Sequence, residues 1–165
     1  MKTYIFMYQG CALFEVIISA YLMKTIEDIC VISDSDKEFK TFEGLTIKPD
    51  FTLDNCLVDN IDLLIITGGE IEKIQKIELL KELVTDINEK NKKIAGICSG
   101  RIFLEDMGLI SKSEKEIFLE GNIIVSESNK YVDLAIEIGK LFNIYENEDD
   151  LNETIKYFKY FERCK

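Results

Sequence analysis

The apolar positions of this chain fall into short unbroken runs and longer stripes at helical spacing, and the two alternate. Residues 4–8, Tyr-Ile-Phe-Met-Tyr, make a run of the type buried on both faces of a parallel sheet, closed by Gln9-Gly10. A helix is predicted over 13–23, apolar nearly all round with Glu15 as its only charge. Such a helix buries more than one side, in a core or against a second subunit. A second strand is expected over 26–33. A turn at 34–37 follows, then a hairpin of 38–42 and 45–47 around Glu43-Gly44. Pro49, the single proline, marks the exit into a polar connection over 50–59. The run 63–66 is fully apolar and leads into Thr67-Gly68-Gly69. An amphipathic helix over 77–90 carries Leu80, Leu83, Val84 and Ile87 on one face. Lys92-Lys93 introduces a further buried run at 94–97, and a helix is predicted over 100–107. Beyond a charged stretch at 111–116, the pattern predicts a strand over 122–126 and helices over 131–142 and 151–161. The acidic residues 146–150 read as a solvated loop capping the last helix.

Strands alternating with helices predict an α/β fold with a mainly parallel sheet, in one domain spanning 1–165. In such sheets sites lie beyond the carboxyl ends of the strands. Residues 10–15, 67–69 and 98–101 all fall at such ends.

The chemistry points to the last of these. Gly96-x-Cys98-x-Gly100 has the frame of a nucleophile elbow with cysteine in the serine position. A nucleophile there sits on strained backbone, and side chains two residues to either side would collide. Ser99 falls where a backbone N–H can meet an oxyanion, and the following helix start favours a thiolate. A tight turn holding a structural cysteine would give the same frame. Gly68-Gly69 allows close approach of a ligand to backbone, or merely a loop needing positive φ. Glu15 reads as a helix-start carboxylate complementing the dipole, or as a functional acid. Arg101 is one of two arginines. It is either exposed or paired with a nearby acid, or else it lowers the Cys98 pKa and binds an anionic substrate or sulfur oxyacid.

The totals remove whole classes of function. A formal charge of −11 argues against nucleic acid and anionic membrane as partners, and no apolar run approaches membrane-spanning length. Five cysteines without a CxxC fit a reducing cytoplasm better than a disulfide framework. A strand-like run follows directly on the first residues, so no leader peptide is expected. The chain has no histidine, which excludes a Cys-His dyad, a Ser-His-Asp triad and any histidine metal site, in an oligomer as well. No metal and no cofactor are expected.

Three segments carry a family resemblance. They are Phe14-Glu15, the run from Asp62 through Gly68-Gly69, and Ile94-Ala95-Gly96-Ile97-Cys98-Ser99-Gly100, with weaker pieces at 104–110 and 121–125. Together they resemble the DJ-1/PfpI (ThiJ) family. The resemblance implies a flavodoxin-like three-layer α/β/α sandwich, usually dimeric, with Cys98 as the reactive elbow cysteine. Glu15 would be the acid whose protonated carboxyl hydrogen-bonds that sulfur, and Gly69 and Ser99 would supply oxyanion N–H groups. The implied activity is that of a hydrolase, hydratase or glyoxalase-like lyase on small carbonyl or amide compounds. The alternatives are a cysteine-oxidation stress sensor, with an oxidant as its partner, or a binding protein that keeps only the fold. Three departures stand out. Thr67 replaces the usual proline before Gly68-Gly69, histidine near the cysteine is missing, and the segment 110–121 is short. The missing histidine argues against protease activity.

Overall fold

A computed structural model describes residues 2–163. Its elements are, in order, β1 (Lys2–Phe6), α1 (Phe14–Met23), β2 (Asp28–Ser33), β3 (Phe39–Lys40), β4 (Thr46–Ile47), β5 (Phe51–Thr52) and β6 (Leu63–Ile66). They continue with α2 (Ile71–Ile74), α3 (Glu78–Glu89), β7 (Lys93–Ile97), α4 (Ser99–Asp106), β8 (Ile117–Glu120), β9 (Ile123–Ser126), α5 (Tyr131–Leu141) and α6 (Glu148–Tyr160). Seven strands form one sheet in the order β5-β2-β1-β6-β7-β9-β8, parallel except for β8, which pairs antiparallel with β9. β3 and β4 form a separate antiparallel hairpin.

The order explains the layers. From β1 the chain steps through α1 to β2 in one direction, and from β6 through α3 to β7 in the other. Right-handed crossovers then put α1 and α3 on opposite faces. α1, α5 and α6 pack together on one side, while α2 contacts α4 and α3 lies against β7 on the other. With both faces covered, Leu63 to Ile66 and Ile94 to Ile97 are wholly buried, which is why both read as continuous apolar runs. This is the flavodoxin-like sandwich. The order reverses between β1 and β6, so the crevice at their carboxyl ends is the switch point where such sheets bind ligands.

Several boundaries differ from the pattern. β1 starts and ends two residues early, though the Met7 amide still bonds Ile32 O at 3.0 Å. β2 begins at Asp28 rather than 26. β8 follows the short charged segment and turns back through Gly121 at φ 61°. It is an edge strand with its last two residues exposed, and its apolar run, Ile117-Phe118-Leu119, is too short to stand out behind the charged segment. β5 and α2 are too short to show periodicity. α6 begins earlier than expected: the Asn147 side chain accepts from the Asp150 amide at 3.0 Å, and Glu148, Asp149 and Asp150 form the first turn. Three acids at a helix N-terminus suit the dipole better than a free loop would. α1 buries Val16, Ser19, Leu22 and Met23 but leaves Phe14, Ile17 and Tyr21 exposed, at 45%, 47% and 63%.

Candidate active site

The elbow is built as its glycines require. β7 ends at Ile97, and Cys98 stands at φ 55°, ψ −116°, a region that side chains other than glycine rarely enter, before α4 starts at Ser99. A Cβ on Gly96 would lie 2.6 Å from Leu104 Cδ1 and 3.0 Å from the Gly100 carbonyl. A Cβ on Gly100 would collide with the Ile66 carbonyl oxygen of β6. The turn is therefore wedged between its own helix and the neighbouring strand. The Cys98 amide donates to Ser126 O at 3.0 Å, which ties the elbow to the end of β9.

Glu15 reaches the same place from α1. It is 2% exposed. Its Oε1 accepts a hydrogen bond from the Ser128 hydroxyl at 2.6 Å. Its Oε2 is buried without a hydrogen bond of normal geometry, and its neighbours are the Cys98 side chain and the Gly68 backbone. A Cβ on Gly68 would clash with Glu15 Oε2 and sit 2.7 Å from Cys98 Cβ, so acid and cysteine share one narrow space that only glycine leaves open. Burial pushes the Glu15 carboxyl up, against hydrogen bonds from Ser128, Cys98 and Gly68. Burial, then the Glu15 charge, pushes the Cys98 thiol up, against the Ser99 hydroxyl and N–H. The lowering expected from the helix start is thus outweighed. Each group opposes ionisation of the other, so the two titrate as a pair.

Gly69, at φ 131°, faces Gly10, Cys11 and Tyr8 too closely for any Cβ. Its N–H donates to Ser99 Oγ at 3.1 Å, and the Ser99 hydroxyl donates back to Gly69 O. Ser99 Oγ lies 4.0 Å from Cys98 Sγ. One of the two expected oxyanion donors is therefore engaged by a side chain. Thr67, in the proline position, donates its hydroxyl to Phe6 O at 2.9 Å and so braces β6 against β1.

Arg101 takes the paired role. It is 5% exposed; Nε donates to Glu105 at 2.9 Å, Nη1 to Glu127 at 2.7 Å and to Lys115 O at 2.9 Å, and Nη2 to Ser113 O. The guanidinium also lies 5.3 Å from the Phe118 ring centroid. These bonds pin the short 113–118 segment to α4 and leave the cation committed away from the sulfur.

Cys98, Glu15, Gly68, Gly69 and Ser99 thus converge, while Arg101 is bonded to Glu105, Ser113, Lys115 and Glu127 instead. The sequence reading missed two members. Ser128 follows β9, at the same carboxyl edge that singled out the other loops. Tyr8 follows β1; its phenol donates to Glu70 O at 3.4 Å, and burial, then the Cys11 charge, hold it far above its ordinary value against the nearby Ser99 hydroxyl. Among the described residues no group of three or more cysteines and acids is disposed to hold a metal. Cys11, Cys30, Cys56 and Cys98 are free, and Cys164 lies outside the described residues.

The DJ-1/PfpI family model matches residues 1–115. No curated protein matches the sequence. Among solved structures, a DJ-1 superfamily protein from Agrobacterium tumefaciens superposes with a TM-score of 0.83 at 18% identity, over 97% of this chain and 99% of that one. Drosophila melanogaster DJ-1beta gives 0.79 at 18% identity over 94% and 95%. A two-domain protein from Anabaena variabilis, with DJ-1/ThiJ/PfpI-like and ferritin-like domains, gives 0.78 at 19% identity; the match covers 86% of this chain but 48% of that protein. The family model spans the elbow, the acid-bearing helix and the glycine pair together, and the chain belongs to the DJ-1/PfpI family.

Proposed function

We propose that this protein works through a Cys98 thiolate held by a protonated Glu15, and that it adds this thiolate to small carbonyl compounds. The observation that carries the reading is the shared space over Gly68, where a buried carboxyl oxygen without a full hydrogen bond meets a strained elbow cysteine. The sulfur attacks an aldehyde carbon, the C–S bond forms as the carbonyl π pair moves to oxygen, and the Glu15 proton goes to that oxygen. A neutral hemithioacetal and a Glu15 carboxylate result, and this carboxylate is then a base in contact with the adduct. No histidine is needed for these steps.

A second reading is favoured by one observation: the Gly69 N–H is already taken by Ser99 Oγ, which leaves less stabilisation for an oxyanion. On that reading Cys98 is an oxidation sensor whose output is a sulfenic or sulfinic acid. Turnover of methylglyoxal by the parent and by Cys98→Ser separates the two. Turnover abolished in Cys98→Ser supports the enzyme. No turnover, together with oxygen added at Cys98 by mild peroxide, supports the sensor. In either case iodoacetamide should label Cys98 before fully buried Cys11 and before Cys56, whose thiol is pushed up to about 11 by burial and Cys30.

The same reading includes a homodimer, supported by the exposed Phe14, Ile17 and Tyr21 on α1. It also includes a reducing, cytoplasmic setting, supported by the free described cysteines. No helix is long and apolar enough to cross a membrane among the described residues.

A further inference from the structure

Ser128 and Glu15 lie 113 positions apart in sequence and meet at 2.6 Å. A protonated carboxyl has one donor, and its second oxygen remains an acceptor. Which oxygen carries the proton decides whether the acid can donate to the sulfur at all. We propose that Ser128 makes this choice as a positioning residue: its hydroxyl holds Oε1 as an acceptor, and Oε2, beside Cys98 and Gly68, is left to carry the proton toward the sulfur. The proposal rests on the Glu15–Cys98 reading above.

The surroundings fix Ser128 in turn. It follows Glu127, whose carboxylate is gripped by Arg101 at 2.7 Å and whose amide donates to Glu116 O at 2.7 Å. Arg101 therefore reaches the site through Glu127 and Ser128 rather than through the substrate. The groups facing Glu15 are Cys98 from the elbow, Ser128 from the loop after β9, the Gly68 backbone after β6, Tyr8 after β1 and Glu43 from the β3–β4 hairpin. Of these only Ser128 offers a side-chain hydroxyl at hydrogen-bond distance from the carboxyl. Glu43 is turned to the start of α1, where it accepts from the Leu13 and Phe14 amides at 3.2 and 3.0 Å.

The test is the rate of Cys98 alkylation against pH, mapped by peptide mass, in folded full-length protein. Ser128→Ala should shift the profile upward by most of the shift that Glu15→Leu produces, and Ser128→Thr, which keeps the hydroxyl, should restore the parent profile. A Ser128→Ala profile that overlays the parent while Glu15→Leu shifts upward would overturn the role of Ser128 and leave the Glu15 reading standing. If Glu15→Leu also overlays the parent, the Glu15 reading fails and this one with it. A Ser128→Thr profile that stays shifted would show that the hydroxyl is not the cause. Glu127→Gln tests the Arg101 link by sign. Loss of a negative charge alone would lower the thiol pKa, so an upward shift supports the link and a downward shift or none overturns it.

Discussion

The Gly69 backbone and the Ser99 hydroxyl are bonded to each other in both directions: the Gly69 N–H donates to Ser99 Oγ at 3.1 Å and the hydroxyl donates to Gly69 O. Ser99 thus clamps the glycine loop onto the elbow, and its hydroxyl and N–H favour ionisation of the neighbouring Cys98 thiol against the stronger effect of burial. Ser99→Ala removes the clamp and the hydroxyl's part of that help. The Cys98 alkylation profile should shift upward, and stability should fall by about 1 kcal/mol for the lost bonds. Parallel urea melts and alkylation rates check both. An unchanged profile with lowered stability would leave Ser99 with the clamp alone.

Glu15 gives a prediction whose sign distinguishes two protonation states. If the pair holds a protonated carboxyl and a thiolate, Glu15→Leu removes a donor and the apparent thiol pKa rises. Glu15→Gln, a weaker donor, gives a smaller rise. If the carboxyl were ionised beside a neutral thiol, Glu15→Leu would remove a repelling charge and the thiol pKa would fall. Thiolate absorbance against pH in the three proteins reads the sign directly.

Glu27 provides a test of burial remote from the site. It is 8% exposed, it accepts from the Thr3 hydroxyl through one oxygen, and its other oxygen has no hydrogen-bond partner among the described residues. Burial first, and the Asp62 charge, push its pKa up in the folded chain against the Thr3 bond. A carboxyl raised on folding contributes stability that is full below its unfolded value near 4.5 and is lost as pH rises through the folded value. Glu27→Gln should therefore gain stability on the parent as pH rises from 4 to 8, and urea midpoints at both pH values would show it. A constant difference would mean that the carboxyl titrates alike in both states.

The exposed stripe of α1 predicts assembly. Ile17→Glu places a charge among Phe14, Tyr21 and Leu13 without touching the buried face that holds Val16 and Met23. Light scattering at micromolar concentration should give a dimer mass for the parent and about half of it for the variant. Equal masses would place the contact elsewhere or remove it.

How much could be read without coordinates followed from the kind of signal each part sends. β6 and β7 are buried on both faces, so their apolar runs were unmistakable, and Gly96, Cys98 and Gly100 announced the elbow because sterics leave few residues able to stand there. Glu15 was visible as a lone charge in an apolar helix. Ser128 was not, because a serine after a strand is common and its partner lies across the fold in another element. Arg101 kept two readings, paired with an acid or turned to the sulfur, because charge alone does not say which way a guanidinium turns. That direction depends on the carbonyls of Ser113 and Lys115, presented by a loop without periodicity.

The backbone angle at Cys98 has a consequence for how the chain tolerates change. Left-handed strain of this kind costs on the order of 1–3 kcal/mol, and glycine alone would relieve it. Cys98→Gly should therefore unfold at no lower urea concentration than the parent while losing its thiol, so selection for robustness alone would empty this position. On the proposed reading, a cysteine at φ 55°, held by glycines on both sides, is a requirement for sulfur written into the conformation of the main chain.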